Sequence, residues 1–210
     1  MQSTRNLTPA ASAMRIGIDI GGTHSDGVLI KGAKLIAAAK ACTCHDNLLA
    51  SINLLLKHLL AGQDASLVQC INLSTTLTTN AIITGKVAPV AVLVSAGPGI
   101  GVENYRIGDQ FHHVAGSLNH VGAETSPTEP DELAAVLEQC QAEGIGHFAT
   151  IGKFSPRNPE HELQMAAALK DAATVVCCGH QLSGQLNFGR RINSTYFNAA
   201  VWNIARTFAE

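Results

Sequence analysis

The stretch IGIDIGGTHSDGVLI, Ile16–Ile30, decides the fold. An apolar run through Ile20 meets Gly21-Gly22-Thr23, and a second apolar run, Val28-Leu29-Ile30, follows at once. That order predicts strand, tight glycine turn, strand. The two glycines can take positive φ, and without a Cβ they let a ligand approach the backbone. Successive unpaired N–H groups in such a turn form an anion-binding nest. Asp19 stands just before the nest, where a carboxylate orders a hydrated Mg2+; that ion keeps its waters and takes few protein ligands. A tight hairpin with an incidental Asp is the competing reading.

Working outward, Met1–Ala13 is polar and aperiodic and is read as a disordered extension. Lys34–Lys40 predicts a third strand. Asp46 offers a cap to a helix whose face is Ile52, Leu55, Leu56 and Leu59, ended by Gly62. Three antiparallel strands followed by a helix fit a ribonuclease-H-like start. Cys70–Leu73 reads as a short buried strand running into Ser74-Thr75-Thr76, and Asn80–Ile83 as helical. Hydroxyls at such a junction bind phosphate or merely cap the helix.

Pro89–Ser95 predicts a buried strand emptying into the loop Gly97-Pro98-Gly99-Ile100-Gly101, which lacks the spacing of a dinucleotide fingerprint. Residues 102–127 are rich in glycine and histidine and read as an irregular insertion or hairpin. Thr128–Asp131 resembles a capping box before a helix through Cys140. His147–Ile151 and Thr174–Cys178 predict strands flanking a helix begun by Asn158-Pro159, so the chain is α/β with a parallel portion. His161-Glu162 lacks the second histidine of a zinc motif, because residue 165 is Met165, and is assigned to a solvated helix face. Ile192–Phe208 predicts one last helix.

Hydrophobic residues make up 46% of the 210-residue chain and charged residues 14%, which excludes a disordered tail. The formal net charge of −2, without a basic run, argues against nucleic acid or an anionic membrane as partner. No apolar stretch approaches the ~20 residues that cross a bilayer. Six cysteines without a secretory segment imply reduced thiols in a cytoplasmic protein. Four of them, Cys70, Cys140, Cys177 and Cys178, sit in apolar patterns where thiols pack as small hydrophobes. Cys42, Cys44 and His45 have no second ligand pair.

Four ordered phrases carry a family resemblance: GIDIGGTHSDGVL, STTLTTNAI at Ser74–Ile82, FSPRNPEHE at Phe154–Glu162 and GHQLSGQLNFGRRINSTYFNAA at Gly179–Ala200. Together they resemble the N-terminal region of the hydantoinase/oxoprolinase family, hydantoinase A type, within the superfamily of actin, sugar kinases and heat-shock ATPases. The resemblance implies a ribonuclease-H-like mixed sheet with flanking helices, half of an actin-like ATPase fold. Its domain would span 14–190, with the insertion near 97–127, and a terminal helix over 191–210 would lead to a C-terminal half. It implies ATP and Mg2+ as cofactors and ATP-driven opening of a cyclic amide such as a hydantoin or 5-oxoproline. Some relatives carboxylate ketones instead. The site residues it implies are Gly21, Gly22, Thr23, Ser25, Thr75, Thr76 and Asn80 for the nucleotide and Asp19 for the metal; it names no general base.

His24 and Ser25 depart from the aromatic residue and Thr common in the family loop. No second Asp-x-Gly-Gly-Thr occurs, and no Walker A sequence, so half a cleft is expected, inactive alone. Its partners would be the missing C-terminal half and a B-type subunit. A sugar-kinase-like fragment shares the first loop but not the later phrases. A non-catalytic interaction module would account for the low charge.

Overall fold

The structure, a computed structural model, describes residues 13–44 and 47–209. The chain divides after Thr84 into two compact units. The first contains β1 (Met14–Ile20), β2 (His24–Lys31), β3 (Lys34–Cys42), α1 (Leu48–Leu59), β4 (Val68–Thr75) and α2 (Leu77–Ile83). Its sheet runs β3-β2-β1-β4, antiparallel through the first three strands and parallel between β1 and β4. Alternation in β1 turns Met14, Ile16, Ile18 and Ile20 inward, each at most 3% exposed. Burying side chains of this size stabilises by about 1.5–3 kcal/mol each. Helix α1 packs on β2 and β3 through Leu55 and Leu59. Gly27 makes room for it: a Cβ there would stand 2.9 Å from Leu59 Cδ1. The expected ribonuclease-H-like start is present.

The second unit contains β5 (Val90–Ser95), β6 (Gln110–His113), β7 (Ser117–Leu118), β8 (Glu124–Ser126), α3 (Pro130–Ala142), β9 (His147–Gly152), α4 (Glu160–Leu169), β10 (Val175–Cys178), α5 (Gly179–Leu182), α6 (Phe188–Ala200) and α7 (Trp202–Ala209). Its main sheet runs β10-β9-β5-β6 and is wholly parallel. Helix α6 covers one face, with Phe188, Ile192 and Ala199 against Val92 and Val94. Helices α3 and α4 cover the other, with Leu133, Met165 and Leu169 against Ala91 and Leu93. Two covered faces explain the unbroken apolar reading of β5.

Several expectations are corrected. Strand β4 is not buried: it lies at a sheet edge, with Ile71 48% and Leu73 49% exposed, and Cys70 is exposed with it. An apolar run reports a preference for burial, not whether a neighbour is there to supply it. Residues 102–127 hold the hairpin alternative, the antiparallel β7–β8 pair, but also contribute β6 to the main sheet, which was not expected. The expected capping box does not form: Thr128 donates to Gln164 Oε1 at 2.7 Å, and Pro130 opens α3. The last helix starts earlier, at Phe188, and breaks at Val201. His161 and Glu162 are not solvated but 1% and 0% exposed. The expected cap Asp46, His45 and residues 1–12 of the expected extension 1–13 lie outside the described residues, and Ala13 is buried; Asn47 caps α1, accepting from Ala50 N at 2.9 Å. Among the described residues no helix is long and apolar enough to cross a membrane.

Candidate functional site

The turn between β1 and β2 holds Gly21, Gly22 and Thr23. Gly21 N–H donates to His24 O at 3.0 Å and closes the hairpin. Neither Gly21 nor Gly22 uses the positive φ open to it. Glycine is needed at position 21 for closeness instead: a Cβ there would meet His24 O at 2.7 Å. A Cβ at Gly22 would stand 3.2 Å from Asn80 Nδ2. Among the described residues, no protein acceptor meets the Gly22 or Thr23 N–H. Two neighbouring backbone donors thus remain unspent at the mouth of the turn, as an anion-binding nest requires.

The parallel pairing of β1 with β4 brings the second phrase to the same place. Thr76 N–H and the Thr75 hydroxyl both donate to Ile20 O, at 3.2 and 2.9 Å. Thr75 Oγ1 also accepts from Leu77 N at 3.1 Å, so this hydroxyl is spent on fixing the junction; it is not the helix cap weighed from the sequence, since the N-cap of α2 is Thr76, whose side chain makes no cap bond. Thr76 and Asn80 are exposed and in contact, Asn80 Nδ2 to Thr76 Oγ1 at 3.4 Å. Ser25 is set apart. It is wholly buried, its side chain turned to the inner face of the sheet, and its hydroxyl pairs with Thr43 Oγ1 at 2.9 Å. A strand flips successive side chains, and Ser25 falls on the wrong side of β2 to meet the loop. His24 Nδ1 lies 3.2 Å from Thr23 Oγ1.

Asp19 is exposed on the outer face and accepts from Ser74 Oγ at 2.6 Å through Oδ1, leaving Oδ2 without a protein partner. The hairpin register sets Asp26 directly opposite Asp19. Both line an open depression of about 350 Å³ with Gly17, Asn72 and Ser74. Asp26 was missed from the sequence, although counting back across the turn from Ile20 and Ser25 finds it. Lys40 pairs with Asp26 at 3.0 Å, both largely exposed, a contact worth at most about 1 kcal/mol. Among the described residues, no three His, Cys, Asp or Glu side chains converge on a metal position. Two exposed carboxylates beside the Ser74 hydroxyl suit a hard cation that keeps most of its waters, not a closed protein cage.

An antiparallel β-meander continued by a parallel strand, with a glycine turn at its mouth, is the opening of an actin-like ATPase fold. Residues 15–173 match the family model of the hydantoinase/oxoprolinase N-terminal region, and the chain belongs to that family. The alpha subunit of caprolactamase from Pseudomonas jessenii is 27% identical over 215 residues, covering 88% of this chain and 31% of that protein. The crystal structure of the ATP-dependent caprolactamase from Pseudomonas jessenii superposes with a TM-score of 0.73 at 25% identity, over 92% of this chain and 32% of that one. A nucleotide-free acetone carboxylase superposes with a TM-score of 0.77 at 17% identity, again over 92% and 32%. The chain therefore spans about a third of the length of these relatives.

Proposed function

We propose that this chain supplies the first phosphate loop of an ATP-dependent cyclic-amide hydrolase acting on a hydantoin, 5-oxoproline or related lactam. The observation that carries the reading is the pair of unspent N–H groups at Gly22 and Thr23, in the turn that follows the β1 strand bearing Asp19, whose Oδ2 has no protein partner. Gly21 shapes the turn, and Gly22 and Thr23 donate to phosphate oxygens. Thr76 and Asn80 border the same mouth, and Thr75 holds the junction behind it. Asp19, with Ser74 fixing one oxygen, presents the other to a hydrated Mg2+. Bound Mg·ATP supplies the phosphoryl group that activates an amide toward water, and the loop contributes positioning and charge stabilisation. Ser25, engaged by Thr43, is left out of this role.

The remaining two thirds of the longer relatives' length supports a second, C-terminal part that completes the cleft. A B-type subunit is the further partner this reading assigns, and the cytoplasm its compartment. Half a cleft does not exclude water, so the chain alone turns over no ATP.

Titration calorimetry with Mg·ATP tests the loop. Wild-type chain is expected to bind, and Asp19→Ala to weaken binding at least about tenfold with an unchanged circular dichroism spectrum. Equal affinity in the two proteins rejects Asp19 as the metal-side ligand. Steady ATP hydrolysis by the chain alone rejects the incomplete cleft.

A further inference from the structure

The second unit holds a polar cluster that the phosphate loop does not use. Glu162, on α4, is wholly buried. Its Oε1 accepts from Gly152 N at 2.8 Å; its Oε2 accepts from His180 N at 2.8 Å and contacts His180 Nδ1 at 2.6 Å. The buried Arg191 guanidinium adds positive charge nearby and donates to main-chain carbonyls of Gly152, Lys153 and Gln185. A buried carboxylate persists only with such compensation. The packing is tight: a Cβ on Gly179 would stand 3.0 Å from Glu162 Oε1.

This arrangement fixes the imidazole. A carboxylate at Nδ1 retains a proton there, so of the two neutral tautomers the geometry selects the one with its lone pair on Nε2. No protein group meets Nε2 among the described residues, and the His180 side chain keeps 18% of its surface accessible. Gly152 ends β9, and His180 lies in α5, two residues past the end of β10. Ser95, the last residue of β5, has a buried hydroxyl with no protein partner, set beside Gly152. In open parallel sheets, ligands bind outside the carboxyl ends of the strands. A purely structural carboxylate needs only the two backbone N–H groups. It does not need an imidazole turned so that its basic nitrogen is left unspent.

We propose that the carboxyl ends of β5, β9 and β10 form a second ligand site, where His180 Nε2 accepts a hydrogen bond from an N–H or O–H donor. Glu162 is the positioning residue that holds the ring. The ligand class, a small lactam or cyclic imide offering an amide N–H, rests on the function proposed above; the tautomer and the open nitrogen do not.

Nitrogen NMR of His180 in the 210-residue chain tests the site, with hydantoin as the probe. The Nδ1–H tautomer is expected at neutral pH, and Nε2 is expected to shift on adding hydantoin. His180→Gln should weaken the accompanying amide shifts at least about tenfold in apparent affinity while the rest of the spectrum is kept. Glu162→Gln should release the tautomer preference; should that variant not fold, the wild-type tautomer still decides. An Nε2–H tautomer, or a ring carrying protons on both nitrogens, overturns the proposal. The expected tautomer with no hydantoin response, or the same response in His180→Gln, also overturns it by leaving the pair a structural role. Mg·ATP binding and its Asp19 dependence are measured separately, so failure of the phosphate loop and failure of this site are told apart.

Discussion

Burial divides the six thiols into two groups. Cys42, Cys44 and Cys70 are exposed, and Cys140, Cys177 and Cys178 are buried. Burial, with Cys178 alongside, pushes the Cys177 thiol up to about 11. Burial also raises Cys140 and Cys178, the latter in part opposed by its bond from Thr150. The thiolate is the reactive form, so access and ionisation act in the same direction here. A disulfide reagent at pH 8 is therefore expected to modify three thiols quickly in the native chain and the other three only after denaturant is added. Six rapid reactions would show that the interior of the second unit is open to the reagent. Residue-scale chemistry was unevenly legible. That Asp19, Gly21, Gly22 and Thr23 would stand together at one turn was legible because they lie in one hairpin, where sequence neighbours are spatial neighbours. Glu162 could not. Its partners Gly152 and His180 come from two strands that meet only once the parallel sheet has formed, and a polar residue in a helical run gives no local sign of burial.

At the scale of elements, β4 contrasts with β5. Both read as apolar strands; β5 has a strand on each side and helices on both faces, whereas β4 has β1 on one side only. Pairing in register sets Ile71 beside Ile16 and Leu73 beside Ile18, so a stripe continuous with the core emerges at the edge. Such an edge templates further strands. The chain is therefore expected to self-associate with rising concentration, and Ile71→Lys with Leu73→Lys to suppress this without loss of secondary structure. Sedimentation velocity over a concentration series checks it; association untouched by the two lysines would place the contact elsewhere. The β1–β2–β3 meander, α1 and β5 were legible because their signals are periodic and local. The edge position of β4 was not, since topology is what assigns neighbours. The break at Val201 escaped for a related reason: the periodicity runs on into α7, but none of the α7 residues is buried to sustain it.

At the scale of the molecule, the two units differ in how completely each encloses its sheet. The sheet of residues 85–209 is covered on both faces by its own helices, with cores around Val92 and Leu93 that draw every member from that unit. In the first unit α1 packs on β2 and β3, while the β4 end stays exposed. Burial of apolar surface is the main term that offsets chain entropy, and short units bury a smaller fraction of theirs. Residues 85–209 expressed alone are thus expected to fold and unfold cooperatively in urea, whereas residues 13–84 alone are expected to give poorly dispersed NMR spectra. The two fragments bear differently on function. A folded 85–209 would carry the Glu162–His180 pair intact and let its tautomer be read without the phosphate loop. A 13–84 fragment that orders only when a longer C-terminal segment is supplied would match the uncovered β4 and the threefold greater length of the relatives. If 85–209 fails to fold while 13–84 succeeds, the enclosure argument is wrong, and stability resides instead in the antiparallel meander that frames the glycine turn.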